Sequence, residues 1–181
     1  MKTMTLAIPD NWLPTNDWDS HRPLLYIALS NTAGSVIEFG CGYGSTPLIQ
    51  RYCEANSRLF ISYETNGEWA KEFDTVCILR DYLEYEPKTL VEHQPGVVFI
   101  DSAPGEGRKQ LIDAWKNWAE VLVVHDTEPG AEYVYAMSEV LCSFKFRCDL
   151  KPEGMPQTTV VSNFVDVSAW KGDYNQKYKV V

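Results

Sequence analysis

The sequence predicts an α/β fold: a mostly parallel sheet with helices on both faces and an antiparallel hairpin at its C-terminal end. Three observations lead there. Strand-like and helix-like patterns alternate along the chain. Two continuous apolar runs, residues 96–100 (Gly-Val-Val-Phe-Ile) and 121–124 (Val-Leu-Val-Val), have the composition of strands buried on both faces. Near the end, Phe144, Phe146, Cys148 and Leu150 alternate with polar residues. A turn with Pro152, Gly154 and Pro156 follows, and residues 158–167 resume strand character.

The elements follow in order. Ser20 is placed to cap a helix, Pro23 suits its first turn, and Leu24, Leu25, Ile27, Ala28 and Leu29 continue it. Residues 35–39 read as an apolar strand running into glycines, 45–55 as a helix, 59–63 as a second strand, 67–73 as a short helix and 75–79 as a third strand. Leu111, Ile112, Trp115, Trp118 and Ala119 recur at helical spacing after the strand at 96–100. One helix is expected over 131–143. The chain reads as a single domain over 1–181, with 1–32 an N-terminal helical cap segment and 170–181 a loosely held polar tail.

Composition narrows the function classes. The chain has 181 residues, enough for one compact domain with a substantial core. Its formal net charge is −9, and its Lys and Arg form no basic run, so nucleic acid is not the expected partner. The five cysteines are odd in number and none forms a CxxC pair, which points to reduced thiols in a cytoplasmic setting. No secretory leader is expected at the N-terminus, and no apolar run approaches the roughly 18 residues of a membrane span.

The most informative segment is Val36-Ile-Glu-Phe-Gly-Cys-Gly-Tyr-Gly44. A strand entering glycines before a helix lets the backbone turn sharply and approach a ligand without Cβ clashes. The spacing, Gly40-x-Gly42-x-Gly44, is not the GxGxxG of dinucleotide loops, because Ser45 fills no glycine slot. Glu38 just before the turn disfavours a pyrophosphate and suits a cationic ligand. Glu64 ends the second strand about 20 residues beyond the turn, where an acid can bind ribose hydroxyls. Asp81-Tyr82 ends the third strand, where it can set a polar group and a ring beside an adenine. Tyr43, inside the turn, either packs on the ligand or lies on the surface.

The stretch Glu38-Phe-Gly-Cys-Gly-Tyr-Gly-Ser-Thr46, with Glu64, resembles the first two motifs of class I S-adenosylmethionine (SAM)-dependent methyltransferases. The resemblance covers most of the chain and implies a Rossmann-like seven-stranded sheet whose last two strands form the hairpin. It also implies that Glu38, Gly40, Gly42, Tyr43, Gly44, Ser45 and Thr46 meet the methionine end of SAM. Glu64 would meet the ribose, and Asp81, Tyr82 and Asp101 the remaining wall.

Chemistry is expected beyond the carboxyl ends of the fourth and fifth strands, at Asp101-Ser-Ala-Pro-Gly-Glu-Gly-Arg108 and His125-Asp-Thr-Glu-Pro-Gly130. Two schemes fit. In one, Asp101, Asp126 and Thr127 hold Mg²⁺, which lowers the pKa of an acceptor hydroxyl. This is similar to the metal-dependent catechol and caffeoyl-CoA type O-methyltransferases, except that Thr127 stands where they carry Asn. In the other, His125 is a general base and Asp126 orients it. Asp101-Ser-Ala-Pro-Gly and Val124-His-Asp-Thr are similar to the glucuronoxylan 4-O-methyltransferase family, which implies a sugar acceptor. Arg108 is placed to clamp a substrate carboxylate, and His21, with Trp12 and Trp18, to form part of a lid. Each residue also has a plain reading: His125 packed at a strand end, Asp126 capping a helix, Arg108 on a helix surface, His93 in solvent, and His21 packed with Trp12 and Trp18.

The expected activity is thus O-methylation of a small-molecule or sugar hydroxyl. The alternative is a SAM-binding module without turnover that serves as a partner subunit. The acceptor and the oligomeric state, a homodimer included, are left open by the sequence.

Overall fold

A computed structural model of the chain describes residues 8–74, 76–82, 87 and 93–170. The expected tail from Trp170 onward falls almost wholly outside this range.

Seven strands form one sheet: β1 (Val36–Phe39), β2 (Phe60–Glu64), β3 (Val76–Ile78), β4 (Val97–Ile100), β5 (Val121–Val124), β6 (Phe146–Leu150) and β7 (Thr158–Ser162). Their order is β3-β2-β1-β4-β5-β7-β6. The first five are parallel, β7 runs antiparallel to β5, and β6 pairs with β7 as the expected hairpin. Strand order reverses between β1 and β4, and an open α/β sheet binds ligands in the crevice this reversal makes.

The α-helices among the described residues are α1 (Arg22–Asn31), α2 (Thr46–Ala55), α3 (Gly67–Ala70), α4 (Arg108–Trp115), α5 (Glu132–Tyr135) and α6 (Ser138–Cys142). Side chains alternate across the sheet. Val97 and Phe99 join Leu24, Leu25 and Ile49 from α1 and α2 in one core, while Val98 and Ile100 join Leu111, Trp115 and Leu141 from α4 and α6 in the other. The central strands are buried on both faces, which explains their unbroken apolar runs.

Two sequence expectations are corrected here. Ser20 does not cap α1: the N-cap is His21, without a side-chain cap, and the Ser20 hydroxyl is spent elsewhere. The helix expected over 131–143 is two helices, because Ala136 between them adopts a left-handed conformation (φ 49°). Glu132 drives the break. Its carboxylate accepts from the Ser138 N–H at 2.9 Å and its hydroxyl at 2.6 Å, so a side chain caps α6 in place of a continuing backbone ladder. The five cysteines form no disulfide. No described helix is long and apolar enough to cross a membrane.

Candidate functional site

Two of the three glycines after β1, Gly40 and Gly44, stand where the backbone leaves no room for a side chain. Gly40 has φ +91°, and a Cβ on it would collide with the Asp101 backbone at the end of β4. This close approach is held by the Gly40 N–H on the Tyr63 carbonyl and the Asp101 N–H on the Phe39 carbonyl, each at 2.9 Å. Gly44 is tight against the Trp18 carbonyl and the His21 ring. Gly42 is different: a Cβ there would meet nothing nearer than 4.0 Å. Its open side faces a cavity of about 810 Å³.

That cavity lies over the carboxyl ends of β1, β4 and β5. Cys41, Gly42, Tyr43, Gly44 and Ser45 line one end, and Asp101, Arg108, His125, Asp126 and Tyr135 the other. Trp18 and His21 reach it from the segment before α1. Tyr43 is exposed, donates to Glu72 at 3.0 Å and packs edge-on against Trp69.

Glu38 does not face the cavity. It is fully buried beneath the turn and accepts from the hydroxyls of Ser45 (2.5 Å), Thr46 (2.8 Å) and Ser62 (2.6 Å). Burial pushes its carboxyl up to about 7 against the pull of those hydroxyls. Thr46 is likewise buried and braces the turn, accepting from the Gly42 N–H at 2.9 Å.

Glu64 is buried beside the turn, outside the cavity wall. Oε1 accepts from the Thr65 and Asn66 N–H groups and the Tyr82 hydroxyl, and Oε2 from the Cys41 N–H. Tyr82 is buried against Phe39, so its ring packs in the core away from the cavity, and Asp81 is exposed at the strand end. Neither lines the cavity.

The other end is a charged cluster built on Arg108, which is 5% exposed. Its Nε donates to the Ser102 carbonyl (2.8 Å), Nη1 to the His125 carbonyl (3.2 Å) and Asp126 Oδ2 (3.1 Å), and Nη2 to Asp101 Oδ1 (2.9 Å). The Tyr135 ring lies 4.4 Å beneath the guanidinium and leaves no space for a Cβ on Gly105. Burial raises the Asp101 carboxyl, but His125 and Arg108 outweigh it and hold the group at about 2. His125 Nε2 meets the Ser20 hydroxyl at 2.8 Å. Its Nδ1 lies 3.3 Å from Asp101 Oδ2 and 3.5 Å from Asp126 Oδ1. Burial lowers the imidazole's pKa, and the two carboxylates raise it further than burial lowers it. Ser20, His125 and Asp101 thus align like a hydrolase triad, but Ser20 is fully buried, so its hydroxyl fixes the ring and attacks nothing.

The Mg²⁺ set Asp101, Asp126 and Thr127 is not assembled. The Arg108 guanidinium bridges the two carboxylates, and the Thr127 hydroxyl is turned to Thr159 (2.7 Å) and the Gln157 carbonyl (3.2 Å). Asp126 caps no helix, Arg108 is buried, and His93 is exposed.

The structure brings Asp101, His125 and Asp126 together, as the sequence reading expects, and adds Ser20, which that reading gave to a helix cap, and His21 and Arg108, whose surface and packing readings it set beside functional ones. His21 is 1% exposed, packs on Phe99 and stands edge-on to His125 with ring centroids 5.0 Å apart. Burial, then the charge of His125, lowers its pKa to about 3. A signal for it existed, since His21, Leu24, Leu25 and Ala28 recur at the spacing of one helix face, which leads inward.

No protein-family model matches the chain, and no curated protein matches it. Solved structures do. The O-methyltransferase TomG from Streptomyces achromogenes, in complex with SAM, is similar at 13% identity with a TM-score of 0.55, over 88% of this chain and 92% of that one. Cofactor-bound Rv0187 from MTB is similar at 14% identity with a TM-score of 0.58, over 87% and 84% of the two chains. The precorrin-6y C5,15-methyltransferase of Geobacter metallireducens gives 16%, 0.51, 88% and 97%. With the reversal of strand order between β1 and β4 and the antiparallel hairpin, these likenesses show that the chain has the class I SAM-dependent methyltransferase fold.

Proposed function

We propose that the chain is a SAM-dependent methyltransferase acting on the hydroxyl of a small molecule or sugar. The observation that carries this reading is the cavity's continuity: it runs from the open side of Gly42 to the Asp101–Arg108–His125–Asp126 cluster. Its volume suits a cofactor with a small acceptor. Asp17, Asp101, Asp126 and Glu128 on its walls favour a ligand carrying ammonium and sulfonium charges, and Trp18, Tyr43 and Trp69 offer ring faces.

The reaction is an in-line displacement. An acceptor oxygen forms the O–C bond to the methyl carbon, the C–S electron pair goes to sulfur, and S-adenosylhomocysteine leaves. The hydroxyl proton passes to the cluster that His125 forms with the Asp101 and Asp126 carboxylates, 3.3 and 3.5 Å from its Nδ1. Arg108 keeps that group in place and limits its negative charge. Orientation supplies most of the remaining rate.

Titration calorimetry with SAM and S-adenosylhomocysteine tests the cofactor. Saturable binding is expected with the native chain, and the absence of heat at about 1 mM ligand overturns the reading. Asp126→Ala is expected to retain SAM binding and lose turnover across a panel of hydroxylated acceptors. SAM binding without turnover in the native chain favours the non-catalytic partner subunit instead.

A further inference from the structure

We propose that His21, Asp101 and His125 form a binding site for a divalent first-row transition ion, of the Zn²⁺, Co²⁺ or Ni²⁺ class, at the inner end of the cavity. The three residues each offer a ligand atom, and these atoms lie within 4.8 Å of one another. An ion held at about 2.1 Å from each ligand keeps them no more than about 4.2 Å apart. The set therefore closes with side-chain shifts under about 1 Å. His125 Nδ1 and Asp101 Oδ2, at 3.3 Å, already have the separation of two ligands on one ion.

The second observation is His21 itself. It is buried, it lines the cavity, and neither ring nitrogen makes a hydrogen bond among the described residues. The nearby Gly44 carbonyl accepts from Arg22 Nε at 2.8 Å and has a second lone pair on the His21 side, which can orient the ring but serves one nitrogen only. A buried imidazole with a ring nitrogen left without a partner is costly unless something else satisfies it. A metal ion facing the cavity does so.

The surroundings fit a ligating role. Coordination through Nδ1 leaves His125 Nε2–H to donate to the Ser20 hydroxyl at 2.8 Å, the outer hydrogen bond that fixes a metal-bound imidazole. Arg108 holds Asp101 by Oδ1 and leaves Oδ2 for the ion. Asp126 Oδ1, 3.5 Å from His125 Nδ1, stands ready for a bound water. Two imidazoles and one carboxylate select a borderline ion over Mg²⁺, which prefers oxygen. The open positions of such an ion face the cavity, where an acceptor oxygen would bind and give its proton to Asp126, His125 then serving as a ligand and not as the base. Only this role rests on the proposed methyl transfer; ion binding stands apart from it.

The test uses the full chain stripped with a chelator and titrated with Co²⁺, followed by visible absorption and by calorimetry. One ion per chain is expected, with the absorption of a nitrogen- and oxygen-ligated site. His21→Phe keeps an aromatic ring against Phe99, and Asp101→Asn keeps the shape of the carboxylate; each is expected to weaken Co²⁺ binding at least about tenfold. Circular dichroism checks that the variants are folded. On the native chain alone, imidazole ¹⁵N shifts on adding Zn²⁺ are expected at two histidines and not at exposed His93. Absent Co²⁺ binding, shifts at His93 only, or thiolate charge-transfer bands from Cys77 or Cys142 overturn the site. SAM titrated into the same stripped protein reports separately on the cofactor reading.

Discussion

Gly40 and Gly42 stand two residues apart in one turn and answer to different demands. Gly40 satisfies the fold: its φ of +91° and its contact with the Asp101 backbone leave no room for a side chain. Gly42 has no such constraint in the protein and borders the cavity. Gly40→Ala is therefore expected to destabilise the chain by at least about 2 kcal/mol, read as a lower denaturation midpoint. Gly42→Val is expected to change stability by less than about 1 kcal/mol and to abolish SAM binding in calorimetry. A Gly42→Val chain that binds SAM as the native one does would remove Gly42 from the proposed site. At this scale the sequence was only partly legible. The motif drew attention to both glycines alike, yet which one meets a ligand depends on what faces each across the crevice. Glu38 and Glu64 show the same limit. Their positions were readable, but their partners, the Ser45, Thr46 and Ser62 hydroxyls and the Cys41, Thr65 and Asn66 amides, lie on other elements.

The elements were legible wherever burial imposed a period. The runs that became β4 and β5 announce themselves because both faces are covered, and the β6–β7 hairpin because its residues alternate. The segment after β5 failed because its break comes from a side chain, which hydrophobic spacing does not report. Glu132 reaches six residues ahead to Ser138, and Ala136 takes up the turn with φ 49°. Alanine in that conformation carries a Cβ penalty that glycine lacks. Ala136→Gly is accordingly expected to stabilise the chain, by up to about 1 kcal/mol. Glu132→Ala should move the other way, since the Ser138 N–H and hydroxyl at the start of α6 lose their acceptor. Denaturant unfolding of the two variants checks both signs, and a loss of stability in Ala136→Gly would contradict the account of the break.

For the whole molecule, a seven-stranded sheet with a terminal hairpin was implied by family resemblance, its strand order comes from the structure, and what locks the elements together at the site is a buried carboxylate. Glu38 on β1 ties Ser62 on β2 to Ser45 and Thr46 at the start of α2, so three elements meet on one side chain. Burial raises its carboxyl from 4.5 to about 7, with Asp101 adding to the rise and no described cation facing it. The consequence is a pH dependence of global stability. Below about pH 4.5 the group is protonated folded and unfolded, and contributes no difference. As pH rises towards 7 the unfolded chain gives up this proton while the folded chain keeps it, so stability falls through that window. Above about pH 7 both forms are ionised and the loss is complete, on the order of 3 kcal/mol. Glu38→Gln has no such proton to lose. Its stability, measured by denaturant unfolding at pH 5 and pH 8, is expected to fall less than that of the native chain over the same interval. Equal slopes in the two proteins would mean that Glu38 is ionised throughout, held by its three hydroxyl donors against the cost of burial.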